Sequence, residues 1–147
     1  MSKDLLDLDE AFRAKASKAF TELNKSETLH QLGVQSVAIS ETKRELSVQM
    51  AYYSRGRMKD PADVRAMYNA AGLYSPSEAE CKTPNTWTLH SKHLTGRAVD
   101  FVPVKDGRLW WNAPVKVLEE MGKIGKACGM SWGGDWKTKD YFHFEKN

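Results

Sequence analysis

The sequence predicts an α+β fold, a small antiparallel sheet packed with about four helices in a single domain. Three observations predict it. Helical apolar spacing dominates the first half of the 147 residues, and alternating, β-rich runs concentrate in the second half. Between two of the late runs stands a tight-turn sequence, Lys105-Asp106-Gly107-Arg108, which makes antiparallel neighbours. A hydrophobic content of 41% beside 28% charged residues is that of an ordinary globular chain long enough for one core.

Residues 4–24 place Leu5, Leu8, Phe12, Ala16, Ala19 and Leu23 at helical spacing with charges between them, so an amphipathic first helix packs on a core over 33–147. Residues 33–40 are short and β-rich, a strand. Over 43–55, Leu46, Met50 and Tyr53 repeat on one face and Gly56 ends the run, giving a second core-packing helix that opens with Arg44. Asp60 and Pro61 are the cap and first residue of a third helix reaching to 73. Residues 74–88 turn to Ser, Pro, Glu, Thr and Asn and read as a long loop, a length often used for lids and rims. Residues 98–104 form a strand, and 109–111 its hairpin return. Asn112 and Pro114 open a fourth helix with Val117, Met121, Ile124 and Cys128 on one side, stopped by Gly129. In the last run Tyr141, His143 and Glu145 share one face, Phe142 and Phe144 the other.

Composition excludes several functions. The net charge of +3 is too small, without a basic run or base-stacking motif, for a nucleic-acid protein. No apolar run approaches 18 residues, so no membrane insertion is expected. The N-terminal stretch is acidic and amphipathic without a signal-peptide core, and the chain is expected to be made in the cytoplasm. Cys81 and Cys128 match no metal spacing and are expected to be free thiols, with a single disulfide between them as the alternative.

The chemistry lies in Ser91–Phe101, SKHLTGRAVDF. Asp100 stands on a strand among apolar residues, where a carboxylate needs a cation or donors to meet it. His93 precedes Gly96, which can turn the chain so that the imidazole meets that carboxylate. His143, in DYFHFE near the C-terminus, is the third member. Two imidazoles and a carboxylate suit zinc, and three ligands leave a fourth position for a water, the arrangement of catalytic sites. A single Zn2+ is therefore expected at the sheet. Asp140 lies three residues before His143, where a bend can aim it at that water as a general base. Glu145 shares the face of His143 and can orient its ring.

SKHLTGRAVDF resembles the S-x-H-x-x-G-x-A-x-D motif of the zinc D-Ala-D-Ala carboxypeptidase and L-alanyl-D-glutamate peptidase family. WGGDWKTKDYFHFE resembles the C-terminal motif of its phage endolysin branch. The resemblance spans residues 38–147. It implies His93, Asp100 and His143 as zinc ligands and Asp140 as catalytic base. The family's upstream R-x4-Q…G-R arrangement is similar to Arg44, Gln49, Gly56 and Arg57, although Thr42-Lys43-Arg44 replaces the more usual Gly-Tyr-Arg. Arg44 then helps stabilise an oxyanion, with Gln49 and Ser91 on the substrate side, although for Ser91 a cap on the turn before His93 is the favoured reading. His90 is a spare ligand or loop filler, and Trp132 and Trp136 line a groove or pack in the core.

The function implied is hydrolysis of the L-Ala–D-Glu bond of peptidoglycan stem peptides by a monomeric phage-type endolysin, which would reach the wall after holin-type release. The alternatives are a D-Ala-D-Ala carboxypeptidase and a non-catalytic wall-binding module.

Overall fold

In the computed structural model, which describes residues 1–147, the first helix begins later than its apolar spacing implied. Leu5–Asp7 form a 3-10 turn, and the Asp9 carboxylate then caps α1 (Glu10–Lys25) by accepting from the Phe12 amide. Its buried stripe is Phe12, Ala16, Ala19 and Leu23. Ser26 ends α1 and caps a five-residue helix, α2 (Glu27–Gln31), too short to show a period in the sequence. The first strand, β1 (Ser36–Glu41), follows.

The second long helix corrects a reading. It is α3 (Leu46–Ser54), which leaves Arg44 ahead of it, and its inward residues are Val48, Gln49, Ala51 and Ser54. Leu46 and Met50 face solvent. Small Ala51 lets α3 close on Val64 and Tyr68 of α4 (Pro61–Ala70), so the long apolar residues fall on the outer side. The expected loop over 74–88 also holds a helix, α5 (Glu78–Lys82). It starts at a reciprocal capping box between Ser77 and Glu80, a pattern present in the sequence. Six helices therefore replace the four expected, the extra two being five-residue turns.

The sheet is antiparallel throughout, in the order β1-β2-β5-β4. Its central strand β2 (Ala98–Lys105) runs through the long motif. Asp106 and Gly107 both take positive φ, 52° and 73°, as a two-residue hairpin turn of this hand requires, and lead into β3 (Arg108–Leu109). After α6 (Val115–Ala127) come β4 (Met130–Trp132) and β5 (His143–Lys146).

Alternation along β2 divides the molecule. Val99 and Phe101 join Phe144, Trp132 and Val37 in the main core, closed by the stripes of α1 and α6. Ala98, Asp100 and Val102 project to the opposite side. A second, smaller cluster of Ala51, Val64, Tyr68 and Cys81 ties α3, α4 and α5 together. Cys81 and Cys128 are both free. No helix is long and apolar enough to cross a membrane.

Candidate metal centre and cleft

Backbone pairing builds most of the centre. Asp100 of β2 stands opposite His143 of β5 in the strand register, so both side chains leave the same face. His93 comes from a 3-10 turn, Lys92–Thr95, which the Ser91 hydroxyl caps by accepting from the His93 amide at 3.3 Å. Gly96 ends this turn at φ 68°, and a Cβ there would meet the Asp9 nitrogen at 2.9 Å. Both the left-handed backbone and the close approach of the N-terminal segment demand glycine. The chain then reverses into β2, bringing His93 Nε2 to 3.2 Å and His143 Nδ1 to 3.4 Å from Asp100 Oδ1.

The ring orientations test whether a metal fits. His93 Nδ1 lies 2.7 Å from the Thr42 carbonyl, a pure acceptor, so that nitrogen carries hydrogen. His143 Nε2 is likewise 2.9 Å from Glu145 Oε1. In its neutral form each imidazole is thus left with its lone pair directed at the Asp100 carboxylate. Three acceptors within 4.8 Å of one another repel unless positive charge stands among them. Burial alone would raise the Asp100 pKa, but the His143 and His93 rings, when protonated on the facing nitrogens, hold it well below the usual carboxylate range. Burial would lower that of His143, but Asp100 and Glu145 push it up to about 9, so without a metal ion a proton takes the place of the cation. Both shifts report a field that favours a cation. Two imidazole nitrogens and one carboxylate oxygen, each ring fixed by an outer partner, match a three-ligand zinc site.

The connection between β1 and α3 supports the centre from the other side. Its Thr42 carbonyl orients the His93 ring, and the Arg44 amide donates to the His93 carbonyl at 3.0 Å. Glu41, which nothing in the sequence marked, is aimed here by a β-bulge. Ile39 pairs with Phe101, but Glu41 pairs with Asp100, so one extra residue intervenes on β1. In unbroken register Glu41 would share the core-facing side of Ile39; the bulge turns it to the side of Asp100. There it grips Arg44 with both oxygens. Gln49, wholly buried, accepts from Arg44 Nη1 at 2.6 Å and donates to the Thr88 carbonyl at 2.6 Å. Its polar atoms face Arg44 and the 86–88 segment, a bracing position rather than the substrate side expected. Three of the five N–H groups of Arg44 are engaged, leaving two. Burial opposes its charge, and the Glu41 contact more than restores it, raising the Arg44 pKa.

Asp140 follows the Trp-Gly-Gly-Asp-Trp stretch, whose glycines have a backbone purpose. The Asp140 amide donates to the Gly133 carbonyl at 3.0 Å, and a Cβ on Gly133 would lie 2.3 Å from the Asp140 carbonyl oxygen. Desolvation at the cleft wall, then the Asp100 charge, hold the Asp140 carboxyl above its ordinary pKa. Trp132 packs in the core, and the Trp136 ring stands 5.0 Å from that of His143. One cleft of about 1090 Å3 gathers His93, Asp100, His143, Asp140, Arg44 and Ser91. His90 is exposed on its rim, outside the three-ligand group.

An α+β scaffold thus converges two imidazoles and a carboxylate in one cleft, as a metal centre requires. Residues 84–146 match a family profile described as D-alanyl-D-alanine carboxypeptidase. The segment contains every member of the three-ligand group, together with Asp140 and Glu145, but not Glu41, Arg44 or Gln49. Over 62 residues the chain is 37% identical to the L-alanyl-D-glutamate peptidase of Escherichia phage T5, a match covering 37% of this chain and 44% of that protein. Over 64 residues it is 39% identical to the peptidoglycan L-alanyl-D-glutamate endopeptidase CwlK of Bacillus subtilis, covering 37% and 38%. Each match thus spans less than half of the curated relative. In fold, the chain is similar to the Serratia marcescens L-Ala D-Glu endopeptidase ChiX, with a TM-score of 0.57 and 23% identity over 97% of this chain and 83% of that one. It is also similar to a vancomycin-resistance D,D-pentapeptidase, VanY, solved with Zn(II), with a TM-score of 0.50 and 19% identity over 95% and 72%.

Proposed function

We propose that this protein is a zinc peptidase that hydrolyses the L-Ala–D-Glu bond of peptidoglycan stem peptides. The observation that carries the reading is the convergence of two imidazole lone pairs on one carboxylate, beside a second carboxylate of raised pKa. His93, Asp100 and His143 would hold the ion, which when bound supplies Lewis acidity and makes water nucleophilic near neutral pH. Asp140, on the wall of the same cleft, takes a proton from the attacking water and delivers it to the departing amine. The two unengaged N–H groups of Arg44 stabilise the oxyanion that forms at the peptide carbonyl, and Glu41 and Gln49 hold the guanidinium still for that task. Ser91 acts through the turn it caps, and Glu145 through the His143 ring.

The relatives in phage T5 and Bacillus subtilis are named for the L-alanyl-D-glutamate bond, which favours it here. The family description favours D-Ala-D-Ala carboxypeptidase activity as the second reading. The phage origin of one relative favours a lytic role, and we propose that the protein acts as a monomer on the host wall after holin-type release from the cytoplasm.

The test is purified peptidoglycan treated with zinc-loaded protein, with and without a chelator. New glutamate amino termini, lost on chelation and restored by zinc, are expected; free D-alanine would transfer the assignment to the carboxypeptidase. Asp140→Asn should bind zinc as the parent does while turnover falls by about a hundredfold or more. Undiminished turnover would remove Asp140 from the mechanism.

A further inference from the structure

The cleft continues past Arg44 along a wall of tyrosines, and its far end holds two polar groups that the proposed mechanism does not use. Tyr68 is completely buried, its ring set against Tyr52 at 5.9 Å and Tyr74 at 5.5 Å. It lines the cleft, yet its hydroxyl has no hydrogen-bond partner. A buried unsatisfied hydroxyl is costly, and its retention calls for a cause. Burial raises the phenol pKa against the opposing influence of Arg55, so the group stays an O–H donor at neutral pH.

Arg55, at the end of α3, lines the same stretch of cleft. Its Nε is spent on the carbonyls of Glu80 (2.8 Å) and Thr83 (3.2 Å), which fixes the guanidinium plane. Its terminal nitrogens have only one nearby anion, Glu80 Oε2 at 4.0 Å, beyond hydrogen-bond reach. That carboxylate is already occupied, accepting from the Ser77 amide at 3.1 Å and from the Tyr74 hydroxyl at 2.6 Å. Arg55 therefore resembles Arg44 in being rigidly held, but its charge is not satisfied by a bidentate partner. A fixed guanidinium edge beside an unpartnered phenol is a receptor for a carboxylate.

We propose that Arg55 and Tyr68 form a carboxylate-binding subsite that reads an acidic residue of the peptide, separate from the cleavage centre. This rests on the peptidase reading above and specifies its substrate class. A glutamate that continues the chain through one carboxyl group keeps the other free, and that free carboxylate is the ligand assigned to the subsite. An amide in its place brings no charge and places N–H groups against donors.

The test uses two synthetic stem peptides that differ only in carrying the free carboxylate or its amide. Binding is measured by calorimetry on zinc-loaded Asp140→Asn protein, and kcat/KM on the parent protein. The carboxylate peptide should bind about tenfold tighter or better, the scale of one charge-assisted hydrogen bond. Arg55→Gln and Tyr68→Phe should each reduce that preference several-fold while leaving amide-peptide binding nearly unchanged. Tyr68→Phe removes a hydroxyl without partners, so it should keep the fold even where Arg55→Gln loosens α5. Equal loss for both peptides would assign Arg55 and Tyr68 a structural role and overturn the subsite. So would binding of neither peptide, or a preference that survives both substitutions. Selective, Arg55-dependent binding without cleavage by the parent would retain the subsite and refute the peptidase reading instead.

Discussion

Replacing Glu41 with Gln tests the bulge, the buried ion pair and the bracing of Arg44 together. The Glu41 and Arg44 side chains are only 8% and 10% exposed, and the carboxylate holds the guanidinium through both oxygens. Removing one member of a buried pair typically costs about 3–5 kcal/mol, because the other charge stays buried without its partner. Arg44 here keeps the Gln49 carbonyl oxygen at 2.6 Å, and an amide fills nearly the same volume, so a smaller cost, about 2–3 kcal/mol, is expected. For a chain of this length that is a fall in Tm of about 6–10 °C by calorimetry. A double-mutant cycle with Arg44→Met should return a coupling of about 2 kcal/mol. A coupling under about 0.5 kcal/mol, the value of an exposed pair, would refute the reasoning, since the contact would then be incidental to the fold.

Two further substitutions probe the other supports. Glu145→Gln weakens the hydrogen bond that sets the His143 ring and should lower zinc affinity by about 10–100-fold, measured by competition with a chromophoric chelator. Unchanged affinity would mean that the β2–β5 register alone orients the ligand. Gly125→Ala places a Cβ 2.3 Å from the Phe144 ring, where α6 closes on the sheet, and should cost about 1–3 kcal/mol in urea unfolding through overpacking.

Much of the centre was legible because local order and strand geometry carried it. The Gly96 turn links His93 to the strand bearing Asp100, and alternation put His143 and Glu145 on one face before any partner strand was known. The stripe of α1 and the Asp-Gly hairpin were readable for the same reason: each is a short-range period or a backbone requirement written in adjacent residues. The inward face of α3 was not. Leu46, Met50 and Tyr53 form a sound helical stripe, but which face is buried was decided by the close approach of α4, which Ala51 permits.

Glu41 shows the limit most clearly. By sequence it is an ordinary acidic residue two positions after a core-facing isoleucine, and alternation would send it into the apolar core. A single extra residue in the pairing with β2 turns it toward Asp100, and nothing local records that slip. The same holds for Gln49, Arg55 and Tyr68, whose partners lie on other elements. The sequence by itself determined the strand that carries Asp100, the turn that returns His93 to it and the face that His143 shares with Glu145. Tertiary pairing alone decided how Arg44 is held and where a second arginine meets the cleft, because register and helix approach are set by contacts between segments far apart in the chain.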